Sequence, residues 1–165
     1  MATEAGMSVD AFRTHLRRDL EETCKANGKT YDNNQARGFA FQLWVSDLLL
    51  RVHDIDQAPD DTVFTTNDLK IDIAFDEEET KTLCLSQTKH ESGDVKESDV
   101  TDFFLRHSIL LDQREWVREH ASEELNDLIS DYRQRVAEGW NINFYFISTG
   151  SASDRVKKLA AAMDV

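Results

Sequence analysis

At 165 residues, with 40% hydrophobic and 31% charged residues, the chain fits a single domain with a core of its own. Its formal charge, 19 − 32 = −13, excludes a surface that binds nucleic acid over its whole extent and leaves room only for a local site where a few basic residues offset the field. No apolar run approaches the length of a membrane span, no signal-peptide pattern opens the chain, and the two cysteines, Cys24 and Cys84, form no CxxC, so the expected setting is the cytoplasm, with both thiols reduced and in the core.

Val9, Phe12, Leu16 and Leu20 recur at helical spacing, which predicts an amphipathic helix over Ser8–Ala26, capped by Ser8 and ended by Asn27-Gly28. Arg13, Arg17 and Arg18 lie on its polar side, as a solvated face or as a patch that contacts phosphate. Asn33-Asn34 caps a second helix, Gln35–Val52, apolar over most of its girth and therefore central. The acidic stretch His53–Asp61 reads as a loop. Asp54 and Asp56 are spaced as a calcium loop might begin, but the glycine and closing glutamate of such a loop are missing.

Leu69, Ile71, Ile73 and Phe75 alternate with Lys70, Asp72 and Ala74, the period of a strand. Asp76–Thr80 reads as a charged turn, and Lys81–Lys89 alternates again with Leu83 and Leu85 on one face. That face continues into Gln87 and Lys89. A strand that begins by facing a core thus ends by presenting an amide and an ammonium, with Asp72 on its hairpin partner. These types suit a divalent metal and a phosphate better than they suit packing. The Asp72 carboxylate is a hard oxygen ligand for Mg²⁺, the Gln87 carbonyl can ligate or position the same ion, and a backbone carbonyl near Thr88 adds a third oxygen. Lys89 can orient the attacking water and stabilise developing charge. The plainer alternative is an Asp72–Lys89 salt bridge at a sheet edge. The predicted packing sets Leu83 and Leu85 against the apolar face of the second helix.

Beyond a polar loop around Gly93, Ser98 is the expected cap of a helix bearing Asp99 and Asp102 in its first turn and Val100, Phe103, Phe104 and His107 on its inner face. The lone histidine reads as a satisfied core residue. Ser122 opens a further helix with Leu125, Leu128, Ile129, Tyr132 and Val136 as its stripe, stopped by Gly139. Asn141–Ser148 is a third strand, and Thr149-Gly150-Ser151 turns into a last helix, Ser153–Met163. Strand, tight turn and capped helix imply a mixed sheet flanked by helices, in the order ααββααβα. The chain stops at Val165 straight after a helical stretch, so residues 1–165 are expected to be one domain from the N-terminal part of a longer protein.

Asp72 followed after fifteen positions by Gln87-Thr88-Lys89 resembles the PD-(D/E)xK nuclease motif, in the QxK variant of the Mrr-like restriction endonucleases. More closely, the chain resembles the N-terminal domain of the abortive infection phage resistance (AIPR) proteins of bacteria. Lys70-Ile71-Asp72-Ile73 is similar to that family's GIDAI strand, Leu85–His90 to its LIQSKY strand, and Glu97–Phe104 to the helix start that follows. Ile142–Gly150 resembles the later strand running into TNG. The likeness covers most of the chain from Gln35 onward. It implies a restriction-endonuclease-like α/β fold and a metal-dependent endonuclease of antiphage defence, with Mg²⁺ or Mn²⁺ as cofactor. The implied partners are nucleic acid, double-stranded DNA first, and a second copy of the chain as a homodimer. Asp72, Gln87 and Lys89 would then be catalytic, and Asp72, Gln87 and Thr88 would hold the metal. Enzymes of this fold often add a glutamate from the helix before the hairpin. Here that helix offers Gln35 and Gln42 and no glutamate, with Gln35 the first candidate for the slot. The glycine usual before the motif aspartate is replaced by Lys70 and Ile71. The competing class is a non-catalytic module of the same fold, used for partner binding or regulation, which the −13 charge and the missing glutamate favour.

Overall fold

Local signals set the first two helices in this computed structural model, which describes residues 8–65 and 69–162. The Ser8 hydroxyl accepts the Ala11 N–H at 3.2 Å and opens α1 (Val9–Ala26), and Gly28 follows its end at φ 66. The Asn33 side chain accepts the N–H groups of Gln35 and Ala36 and opens α2 (Asn34–Val52). α2 is buried along one stripe, through Ala36, Ala40, Phe41, Val45 and Leu49, while Leu48 and Val52 are exposed. Apolar girth therefore overstated its burial.

The middle layer is a four-stranded mixed sheet in the order β1 (Val63–Phe64), β2 (Ile73–Glu77), β3 (Thr82–Lys89), β4 (Asn141–Ser148). The first three strands are antiparallel neighbours, and β4 runs parallel to β3. Parallel neighbours need a crossover. It is made by five short helices: α3 (Glu97–Phe104), α4 (Arg106–Asp112), α5 (Arg114–His120), α6 (Glu123–Ile129) and α7 (Tyr132–Ala137). The sequence reading joined these into two helices, because no glycine or proline marks a break between Lys96 and Gly139. The breaks come instead from ordinary residues that leave helical geometry, such as Gln113 at φ −121, ψ 50 and Ala121 at φ −92, ψ 152. The N-cap of α3 is Lys96, without a side-chain bond, and not Ser98. α8 (Asp154–Ala162) closes the described chain; the expected end of this helix at Met163 lies outside the described residues.

Two cores flank the sheet. On one face Ile73, Phe75 and Cys84 pack with Leu16, Leu20, Phe41, Val45 and Leu49 from α1 and α2. On the other, Ala74, Leu83 and Leu85 pack with Phe103, Leu110, Val117, Leu125, Leu128 and Tyr132 from α3 to α7. α2 thus lies across the hairpin as expected, but Leu83 and Leu85 face away from it. All five residues Thr82–Ser86 are buried, so β3 is covered on both faces and alternation gave no sign of which helix met which face. Asp76, placed in a turn by its charge, belongs to β2 and is buried. Among the described residues no helix is long and apolar enough to cross a membrane.

Candidate active site

The facing of β3 decides what surrounds the motif. Gln87 and Lys89 continue the Leu83–Leu85 face and so emerge on the α3 side of the sheet. There the Lys89 ammonium meets the Asp99 carboxylate of α3, Nζ to Oδ2 2.9 Å, both side chains largely shielded at 31% and 21% exposure. α3 is held by Phe103, fully buried against Phe144 and Phe146 of β4. Asp99 had read only as a first-turn acid suited to the helix dipole. Its spacing from Lys89 carried no signal, because the pairing depends on which face α3 covers.

Asp72 sits one step before Ile73, whose pairing with Ser86 is the last of the β2–β3 ladder, and the regular register is not kept beyond that pair. Its backbone is gripped on both sides: its N–H donates to Ser86 O at 2.8 Å, and its carbonyl accepts the Thr65 N–H at 2.9 Å. The Thr88 N–H donates to the Asp72 carboxylate at 2.7 Å, and the Thr88 hydroxyl lies 3.3 Å from the same oxygen. In a strand the N–H and C=O of one residue point to the same side. The Thr88 carbonyl therefore also faces the Asp72 edge, where the third oxygen ligand was expected.

Burial pushes the Asp72 carboxyl above its ordinary value of 3.8, against the opposing pull of the Thr88 donors and the Lys89 ammonium. Asp72 and Lys89 thus feel each other without forming a direct bridge. Gln87 is 8% exposed, and its Oε1 is buried with no hydrogen-bond partner. A buried amide oxygen left unpaired costs on the order of 1–3 kcal/mol. The donor set, one carboxylate, one amide oxygen and one backbone carbonyl, fits Mg²⁺ or Mn²⁺ in type but carries a single negative charge. Among the described residues no three His, Cys, Asp or Glu side chains group to hold a metal.

The backbone before Asp72 explains a departure noted in the sequence. Leu69 and Lys70 have φ of 51 and 60, the left-handed region in which glycine is the unstrained residue. Lys70 stands where the resembling family has its glycine, and its ammonium is tied to Asp102 of α3 at 2.9 Å.

Gln35 is exposed on the first turn of α2, and no bond brings its side chain to Asp72. The α2 glutamine that reaches toward the motif is Gln42, whose Nε2 donates to Thr65 O at 3.0 Å, one residue link from the Asp72 carbonyl. It supplies a donor to the backbone and no ligand. α2 covers the face of the sheet opposite Gln87 and Lys89.

A second polar cluster lies at the far end of β2. Asp76 pairs with Arg135 of α7 at 2.6 Å, and Arg135 also reaches Asp131 at 2.8 Å and lies 4.4 Å over the Trp140 ring. It opens on a cleft of about 660 Å³ whose walls include Asp60, Asp61, Glu124 and Asp127. Such a lining repels phosphate. His107, expected to be satisfied, has its Nδ1 2.6 Å from the Tyr132 hydroxyl. Asp54 is a loop residue, as expected, at φ 56.

No protein-family model, no curated protein and no solved structure matches this chain.

Proposed function

We propose that the chain is a restriction-endonuclease-like nuclease domain that hydrolyses phosphodiester bonds of nucleic acid, DNA first, with Mg²⁺ or Mn²⁺, in bacterial antiphage defence. The observation that carries this reading is the buried, unpartnered Gln87 Oε1 on β3, next to Thr88, which donates to the Asp72 carboxylate, and two residues before Lys89, whose ammonium acts on that carboxylate. Resemblance to the AIPR family and its PD-(D/E)xK motif supports it, as does the mixed sheet with helices on both faces.

Asp72, Gln87 Oε1 and the Thr88 carbonyl would hold the ion. When bound, such an ion lowers the pKa of a water and neutralises charge on the phosphate. Lys89 orients the attacking water and donates to the phosphate oxygens as charge builds on them. The water oxygen bonds to phosphorus and the bond to the leaving oxygen breaks. One water proton passes to that oxygen and the other to solvent. A plasmid-cleavage assay with Mg²⁺ or Mn²⁺ tests this. Wild type should cut, Asp72→Ala should not, and Lys89→Ala should be slower by ~10²–10³. Equal cleavage by wild type and Asp72→Ala would assign the activity elsewhere.

A second reading, a non-catalytic module of the same fold, draws on the −13 charge and on the single anionic donor at the motif. Absence of cleavage by wild type on DNA and RNA, with either ion, selects it.

A further inference from the structure

Lys89 faces two carboxylates. Its ammonium favours the charged form of Asp72, and it makes its direct bond to Asp99, at 2.9 Å. A carboxylate neutralised by an ammonium has little attraction left for a cation, and among the described residues Asp72 is the anionic donor bonded to Thr88. Counting Asp72 and Lys89 alone, the site is neutral. Counting Asp99 as well, it carries one negative charge.

We propose that Asp99 holds the Lys89 ammonium off Asp72, so that Asp72 keeps its charge for a divalent cation shared with Gln87 Oε1 and the Thr88 carbonyl. This rests on the metal-site reading above. Asp99 is a positioning residue, since it acts through Lys89 and touches neither the cation nor the substrate. Its own position is firm. It lies in the first turn of α3, where the helix dipole favours a carboxylate, and that helix is anchored one turn on by Val100 and Phe103, 2% and 0% exposed. Asp99 thus makes up, from another element, part of the negative charge that a glutamine at position 87 fails to supply.

The test is a titration of the full chain with Mn²⁺ alone, read by electron paramagnetic resonance or calorimetry. Wild type is compared with Asp72→Ala, Asp99→Asn, Lys89→Met and Asp99→Asn/Lys89→Met. The expected results are no binding in Asp72→Ala and affinity weaker by on the order of tenfold in Asp99→Asn, the size of a partly screened charge–charge interaction. Affinity should return in the double variant and at least match wild type in Lys89→Met. Asp99→Asn binding as wild type does, with Asp72→Ala silent, overturns this inference and leaves the metal site standing. Failure of the double variant to recover overturns it too, because Asp99 would then act other than through Lys89. Wild type that takes no Mn²⁺ at millimolar concentration removes both readings. Should Asp99→Asn not fold, Lys89→Met decides alone: weaker binding than wild type overturns the inference.

Discussion

The Asp72 carboxylate accepts the Thr88 N–H at 2.7 Å, the place that the Ile71 carbonyl would hold had β2 kept its ladder with β3. A charged side chain therefore closes the sheet at this point, although burial opposes its charge. Asp72→Asn keeps an acceptor for Thr88 and removes the buried charge. Because the folded-state pKa lies above 3.8, the group favours folding below that value, and this contribution is lost as pH rises through the folded value. Asp72→Asn should therefore raise Tm at neutral pH, with the gain shrinking toward about pH 3, while cleavage is lost. Asp72→Ala leaves the Thr88 N–H unpaired and should cost about 1–3 kcal/mol. A neutral-pH Tm for Asp72→Asn below that of wild type would count against a strained, functional carboxylate.

Gln87→Glu converts the orphaned oxygen into a second buried carboxylate, on the residue before Thr88, which donates to Asp72. Two buried like charges repel, so in chelator the variant should unfold several degrees below wild type, for ~1–2 kcal/mol lost. Mg²⁺ should restore that Tm, with a larger metal-dependent rise than wild type shows. Thermal melts with and without Mg²⁺ read this directly. Equal rises in the two proteins would place the ion elsewhere.

Arg135 and Asp76 are each 9% exposed at the side chain and lie 2.6 Å apart. Removing one partner of a buried pair strands the other, so Arg135→Met should cost about 3–5 kcal/mol in denaturant unfolding. Asp76→Leu/Arg135→Met should recover much of that loss, since no charge is stranded. The same pair supplies the control for the nuclease reading. It lies at the far end of β2, so the double variant should retain cleavage if it folds.

What the sequence disclosed and what it hid divide along a physical line. Caps at Ser8, Asn33 and Ser122 and the stops at Gly28 and Gly139 were legible because their signal is local. The shared face of Gln87 and Lys89 with Leu83 and Leu85 was legible because period-two alternation carries a strand's face forward, whereas the strand read over Leu69–Phe75 begins only at Ile73, since Leu69 and Lys70 form a turn at positive φ. Which helix covers that face was not legible, for β3 is buried on both sides. One error there had two effects: it set Leu83 and Leu85 against α2, and it hid the pairing of Asp99 with Lys89. Asp76 was misplaced for a different reason. Its partner Arg135 is 59 positions away, and a charge among Glu77, Glu78 and Glu79 looks like solvent-facing turn until that partner is seen.

β4 forms one margin of the sheet, and its pairing with β3 uses the odd-numbered residues, as the bonds from Asn141 to Lys81 and from Thr149 to Lys89 show. The N–H and C=O groups of Ile142, Phe144, Phe146 and Ser148 therefore point outward, along eight residues without a single charge. A free margin of that length and composition is a template for an additional extended segment. Any strand that docked there would lie alongside β4, the strand that pairs directly with β3 through Phe146 and Gln87.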